Sequence, residues 1–422
     1  MIPPFLRLIS GTLLLSSAVL CSAQSFQPKT IQFKGAGEYP DADLLSAANL
    51  KKGAILTAAE MNDHTKLLMD SGVFDNITFT FNGQDLVFQI IPSTTLYPLR
   101  FENLPIENDK ELNDRLHKKL PLFHGKVPLQ GSLLDDVRKA LEEELSSKGI
   151  QATLSSAPYA DSKTNLFTAM TFSISSPAVE IGEIKLTGAS SEMTAKAQSV
   201  LARYKGEPYN SEGSSSQLEI NLNNYYHELG YLQAATHAKA VLAPVVSGEA
   251  VAVPFAVSVD EGPQYKLAAI DLAPDIVVTQ AVFDKQSPIH PGDIALPEKL
   301  RANWQYITRQ YHNKGMVKVK IVATAAYDSE KAAVRYAITA EPGPVYKMGK
   351  LLMPTASDEL RAAINSAWSV PAGATFNESA TLTLTGAPAL SRLFQEYDLR
   401  YSLLLHDDTL LVDVTLRFEK KH

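Results

Sequence analysis

Cysteine is almost missing from this 422-residue chain, and the single one, Cys21, falls within the apolar first 23 residues. The remainder therefore uses neither disulfides nor thiolate chemistry, and its folded parts must be held by their cores alone. Long apolar runs are also missing. Past residue 23, no stretch approaches the ~18 apolar residues of a membrane-spanning helix. Basic residues are not in excess either. With 39 Lys+Arg against 46 Asp+Glu, the formal net charge is −7, which disfavours nucleic acid or another polyanion as partner. Catalytic signatures do not appear: no G-x-S-x-G, no P-loop and no G-x-G-x-x-G. His227-Glu228 lacks a second histidine at the spacing of a zinc-binding helix, and His406-Asp407-Asp408 reads as a polar hairpin turn. No catalytic residue, metal site or cofactor is expected, and no enzyme.

What is present begins with a leader. Arg7 is the only charged side chain among the first 23 residues, and an apolar run from Leu8 to Leu20 follows it. Cys21 and Ala23 place small residues at the −3 and −1 positions of a cleavage site. This reads as a signal peptide, 1–23, directing export. A lipid on Cys21 is the rival reading, but Leu20 stands where a lipobox has a small residue.

Beyond the leader the chain repeats itself. Each of Gly72, Gly149, Gly230 and Gly315 ends a helical pattern and opens an alternating one, at separations of 77, 81 and 85 residues. A fifth joint lies 83 residues further on, with Asp398 in the glycine's place. A short strand pattern precedes each joint, at Ile31, Leu99, Ile184, Ile270 and Leu351. Self-similarity at a nearly constant spacing marks a repeat architecture. The predicted fold class is α+β: five tandem β-α-α-β-β units forming an elongated rod, at 26–95, 96–178, 179–264, 265–346 and 347–422. The junctions "DEGPQYK" and "EPGPVYK" are short enough to act as joints rather than tethers.

Within the third repeat, Leu218, Leu222, Tyr225 and Leu229 step by three and four and predict one apolar helix face. Gly230 then predicts a left-handed C′ residue, with Tyr231 packing back on that face. In the second repeat Leu133, Leu134, Val137, Leu141 and Leu145 define a core face, leaving the carboxylates wet. In the fourth, Leu300, Trp304, Ile307 and Tyr311 do the same, and "MVKVKIVAT" alternates Val317, Val319 and Ile321 with Lys318 and Lys320. Lysines on such a strand predict a guarded sheet edge.

These features together resemble the POTRA (polypeptide-transport-associated) module. The likeness rests on "IQFKG…KKGAILTAAEMNDHTKLLMDSGVFDNITFTF…DLVFQII" in the first repeat and "IGEIKLTG…KGEPYN…NYYHELGYLQA…FAVSVDEGPQY" in the third. Five such units resemble the periplasmic part of BamA-like outer-membrane assembly proteins. The chain ends at His422 on a strand pattern with no barrel strands after it, so the resemblance implies a scaffold rather than an insertase. That scaffold would be non-enzymatic and periplasmic, at or near the outer membrane. It would bind unfolded client polypeptides and outer-membrane barrel or assembly-complex components by adding a strand to exposed sheet edges. A separate chain supplying the barrel of a split translocon is the alternative. The edges implied are the strands after the joints: 76–81, 232–241, 316–324 and 399–406. The partner-binding residues expected on them are Phe74, Ile77, Phe79, Phe81, Leu232, Ala234, Val317, Val319, Ile321, Tyr401 and Leu403.

Overall fold

The computed structural model describes residues 25–247 and 249–421, so the expected signal peptide and Cys21 lie outside it. Five sheets of three or four strands follow one another along the chain among the described residues. Each begins with a lead strand: Thr30–Lys34, Leu96–Phe101, Ala178–Thr187, Lys266–Leu272 and Lys347–Leu352. Two helical segments follow, then the strand after the joint: Phe74–Phe81, Thr153–Ala160, Ala235–Ala240, Lys320–Asp328 and Tyr397–His406. A hairpin returns the chain as the central strand: Asp85–Pro92, Phe167–Ser176, Ala250–Asp260, Ala333–Glu341 and Leu411–Lys420.

In each of these five sheets the strand last in sequence lies in the middle, beside the lead strand on one side and the post-joint strand on the other. Connection length accounts for the strand directions. A tight hairpin joins the post-joint and central strands, which are antiparallel in the first, second, fourth and fifth repeats. Lead and central strands in those repeats are parallel, because two helices intervene to carry the chain back.

The helices supply the other layer of each core. In the second repeat Leu133, Val137, Leu141 and Leu145 are buried as the periodicity predicts. In the third the buried set is Leu218, Leu222 and Tyr226. Steps of four select Tyr226 rather than Tyr225, and Tyr231 packs edge-on against it at 5.6 Å. In the fourth, Leu300, Ile307 and Tyr311 meet Leu267, Ile270, Val334 and Ile338, while Trp304 lies edge-on to Tyr336 at its margin.

The fifth repeat departs from the pattern. Its second helix is broken into Ser379–Thr385, a 3-10 turn Pro388–Leu390 and Ser391–Glu396. Pro388 supplies no N–H to continue the first piece. The last piece runs directly into its strand, where Asp398 pairs with Glu419. Asp398 is therefore a strand residue and does not stand in for a joint glycine.

The chain divides into two compact units, and the division passes through the third repeat. One contains the residues up to Glu183 with Lys205–Ser214 and Ala240–Phe255; the other contains Ile184–Tyr204, Ser215–Lys239 and everything from Ala256 onward. No helix among the described residues is long and apolar enough to cross a membrane.

Candidate functional site

The joints at Gly230 and Gly315 are contacts between consecutive repeats. Gly72, Gly149, Gly230 and Gly315 all have φ between 77° and 89°, and at Gly230 and Gly315 the glycine carbonyl accepts a hydrogen bond from the next repeat. Tyr265 N–H donates to the Gly230 oxygen at 2.9 Å, and Tyr346 N–H to the Gly315 oxygen at 2.8 Å. Each of these tyrosines then accepts, through its own carbonyl, the N–H of a residue before the next second helix: Ala295 at 2.9 Å and Phe376 at 3.0 Å. Both rings are buried.

Their hydroxyls tie the joint to the next repeat's hairpin. Tyr265 Oη bonds Gln233, three residues past Gly230, and Ser329 Oγ at 2.9 Å in the hairpin turn of the fourth repeat. Tyr346 Oη donates to Asp407 Oδ1 at 2.6 Å, and Lys318, three residues past Gly315, donates to Asp407 Oδ2 at 2.6 Å. The arrangement recurs position for position.

This geometry corrects the reading of several predicted edge residues. After Gly230 and Gly315 the chain first makes a turn, so the strands begin at Ala235 and Lys320 rather than at 232 and 316. Leu232 and Ala234 lie in the first of these turns, and Val317 and Val319 in the second. Leu232 packs on the fourth repeat's core and Val317 on the fifth's. Each therefore fills a neighbouring repeat rather than an open edge. Val319 and Ile321 pack on the fourth repeat's own core. Lys318, expected as an edge guard, is held by Asp407, while Lys320 reaches Glu341 at 3.6 Å.

The remaining residues lie on post-joint strands. Phe74 and Ile77 point into the first core, Phe79 is half-buried against Phe88, and Phe81 stacks on Phe26 at 4.6 Å. Tyr401 is 39% exposed and Leu403 packs on the fifth core. Other exposed apolar groups share these strands: Tyr159, Tyr327 and Leu404. The second repeat's strand Thr153–Ala160 is an edge that the glycine-joint reading did not single out.

The two edges of each sheet differ. On the lead-strand side the segment between the two helices pairs only with the beginning of the lead strand or, in the first repeat, with residues ahead of it, and the rest of that side pairs with no strand among the described residues. The pairs are Ser25↔Thr57, Leu96↔Pro128, Glu180↔Pro208, Lys266↔Ile294 and Lys347↔Thr375. Among the described residues, no strand pairs with the outer side of the five post-joint strands. Backbone N–H and C=O groups facing outward there are available to another strand, apart from the N–H groups of Leu154 and Ala238, which donate to Glu142 and Glu219 of the second helices at 2.8 Å.

The fourth joint also carries an acid-sensitive contact. His312 Nδ1 lies 2.7 Å from Glu378 Oε2, Tyr401 Oη donates to Glu378 Oε1 at 2.7 Å, and Asn313 Oδ1 accepts the N–H of Ser379 at 3.0 Å. The His312 hydrogen bond, helped by that of Tyr401, holds the Glu378 carboxyl below its ordinary value of 4.5. Burial and then the Glu378 bond push the Tyr401 hydroxyl up to about 12. Lys318 and then Tyr346 likewise hold Asp407 below 3.8. A carboxylate with a depressed folded-state pKa stabilises the fold fully above the unfolded value, and that stability is lost as pH falls through the folded value. The fourth joint should therefore loosen below about pH 4.5. In Glu378→Gln the stability of the fifth repeat, followed by Trp368 fluorescence, should vary less with pH between 5 and 3. An unchanged pH slope would show that the contact does not carry the acid response.

Comparison with known proteins places part of the chain. Residues 29–92 match the POTRA family model, described as a surface antigen variable number repeat. The matched span falls within the first repeat. Over a longer stretch, the chain is 21% identical over 333 residues to the outer membrane protein assembly factor BamA of Buchnera aphidicola. The match covers 76% of this chain and 53% of that protein, so the chain spans about half the length of this curated relative. Among solved structures, POTRA3-5 of Haemophilus influenzae BamA aligns at 13% identity, covering 58% of this chain and 98% of its own, with a TM-score of 0.43. The N-terminal domain of Omp85 from Thermosynechococcus elongatus aligns at 19% identity over 58% of this chain and 99% of its own, with a TM-score of 0.25.

Proposed function

We propose that this chain is a non-enzymatic periplasmic scaffold for outer-membrane protein assembly or polypeptide transport. It binds extended segments of client or partner polypeptides along the outer sides of its post-joint strands. The observation carrying this reading is that the outer side of every post-joint strand pairs with no strand among the described residues, while the lead-strand side is paired at its start by the repeat's own inter-helix segment. The POTRA match of the first repeat and the similarity to BamA support the setting.

An added strand would satisfy the outward backbone groups, with affinity from the main chain and selectivity from side chains on alternate positions. Tyr327, Tyr401 and Leu404 offer apolar contact beside such a strand. The partners fitting this mode are an unfolded outer-membrane barrel protein or a strand of an assembly component. Leu232, Val317 and Lys318 serve the joints instead and hold consecutive repeats in register.

The test is site-specific photo-crosslinking to an unfolded outer-membrane barrel protein. Probes at the exposed strand positions Thr78, Thr324 and Ser402 should capture it several-fold better than probes at the exposed helix positions Lys196 and Lys285. Equal capture at strand and helix positions would reject strand addition.

A further inference from the structure

Where the first two repeats meet, three ligand-type side chains converge that lie far apart in sequence. Asp43 comes from the short helix Asp41–Ala47 of the first repeat. His117 comes from the last turn of the helix Lys110–Lys119 of the second repeat, and His124 from the loop after it. Asp43 Oδ2 lies 3.4 Å from His124 Nε2 and 3.6 Å from His117 Nε2, and the three ligand atoms lie within 4.8 Å of one another.

These separations exceed the ~3.2 Å limit of a good N–H···O bond. The two Asp43–histidine distances are close to the edge of a small coordination sphere: nitrogen and oxygen ligands about 2.0–2.1 Å from a tetrahedral zinc ion stand about 3.3–3.4 Å apart.

Two further observations point to a ligand. His124 Nε2 is buried and has no hydrogen-bond partner, which is costly for a polar atom unless something else satisfies it. His117 Nδ1 lies 2.9 Å from the carbonyl oxygen of Phe123. A carbonyl only accepts, so Nδ1 carries the proton and Nε2 keeps its lone pair free. That is the second-shell arrangement that orients a metal-binding histidine. Packing fixes the rings as well: His117 and His124 meet edge-on at 4.7 Å, and Tyr39 lies edge-on to His124 at 4.9 Å. Phe123, between the ligands' supports, is fully buried.

We infer that Asp43, His117 and His124 form a zinc site that clasps the first repeat to the second. Two imidazoles and one carboxylate suit this borderline ion, and the fourth position is left to solvent or to a ligand from a bound polypeptide. The sequence hides the site because Asp43 is 74 residues from His117 and no short motif unites them.

The test uses the untagged full chain, stripped with chelator and dialysed against zinc chloride, with bound zinc counted by mass spectrometry. One equivalent should be retained. Asp43→Asn, His117→Gln and His124→Gln should each weaken binding at least about tenfold, while His237→Gln, at an exposed position of the third repeat, should not. Circular dichroism establishes that each variant is folded. Cobalt in place of zinc should give the intense visible absorption of a tetrahedral site, lost in the same three variants. Failure of the parent chain to retain zinc, or retention by all three variants, overturns the assignment.

Discussion

Replacing Tyr265 with alanine will destabilise the fourth repeat by about 3–5 kcal/mol, the range for truncating a large buried aromatic ring. The ring is fully buried in the core that also holds Leu267, Ile307 and Tyr311. Its backbone links Gly230 of one repeat to Ala295 of the next, and its hydroxyl meets Gln233 and Ser329. Losing the side chain therefore opens a cavity and unfastens the joint from the following hairpin. Tyr265→Phe keeps the ring and removes only the hydroxyl contacts, so about 0.5–1.5 kcal/mol should be lost. A chain of several cores does not unfold as one step, so the probe must be local. Trp304, at the margin of this core, reports on the fourth repeat in a Trp368→Phe background. A shift below about 1 kcal/mol for the alanine variant would contradict the role assigned to Tyr265.

The second large effect separates two joints that look alike in sequence. Gly315 and Gly149 have nearly identical φ, 82° and 83°, and any L-residue there is strained by about 1–2 kcal/mol. A Cβ added at Gly315 would stand 2.6 Å from the Tyr346 carbonyl oxygen and 2.9 Å from Thr375 Cγ2, whereas at Gly149 it would meet nothing within 4 Å. The Tyr346 carbonyl is engaged with Phe376 and cannot yield without loosening the joint. Gly315→Ala should thus cost the strain plus the displacement, about 3 kcal/mol or more, and Gly149→Ala the strain alone. Pulse proteolysis of the two variants measures the difference. Equal losses would show that Gly315 is a turn residue only and that the close approach is relieved at no cost.

Much of this architecture is legible in the sequence because it is written in side-chain periodicity. The faces Leu133–Val137–Leu141–Leu145 and Leu300–Ile307–Tyr311 are buried as spaced, and the glycines end their helices where expected. Failures arise where the determining forces leave no periodic trace. Val317, Lys318 and Val319 alternate like a strand, yet they form a turn because Val317 and Lys318 have partners in the next repeat. Nothing local distinguishes an apolar residue facing its own core from one facing a neighbour's. Pairing at the start of the lead-strand edge is carried by backbone groups that every residue possesses, so composition does not announce it. The break in the fifth repeat's second helix falls at Gly386 and Pro388, which a repeat period does not register. The Asp43, His117 and His124 cluster depends on packing between two repeats, which a one-dimensional pattern does not encode.

Strand addition along the open edges is tested most directly by amide hydrogen exchange of the full chain, with and without an unfolded outer-membrane barrel protein. The account predicts new protection concentrated in the post-joint strands, above all Phe74–Phe81, Lys320–Asp328 and Tyr397–His406, with the lead strands unchanged. Protection confined to the helices or the joints, or no new protection while the client is bound, would contradict it.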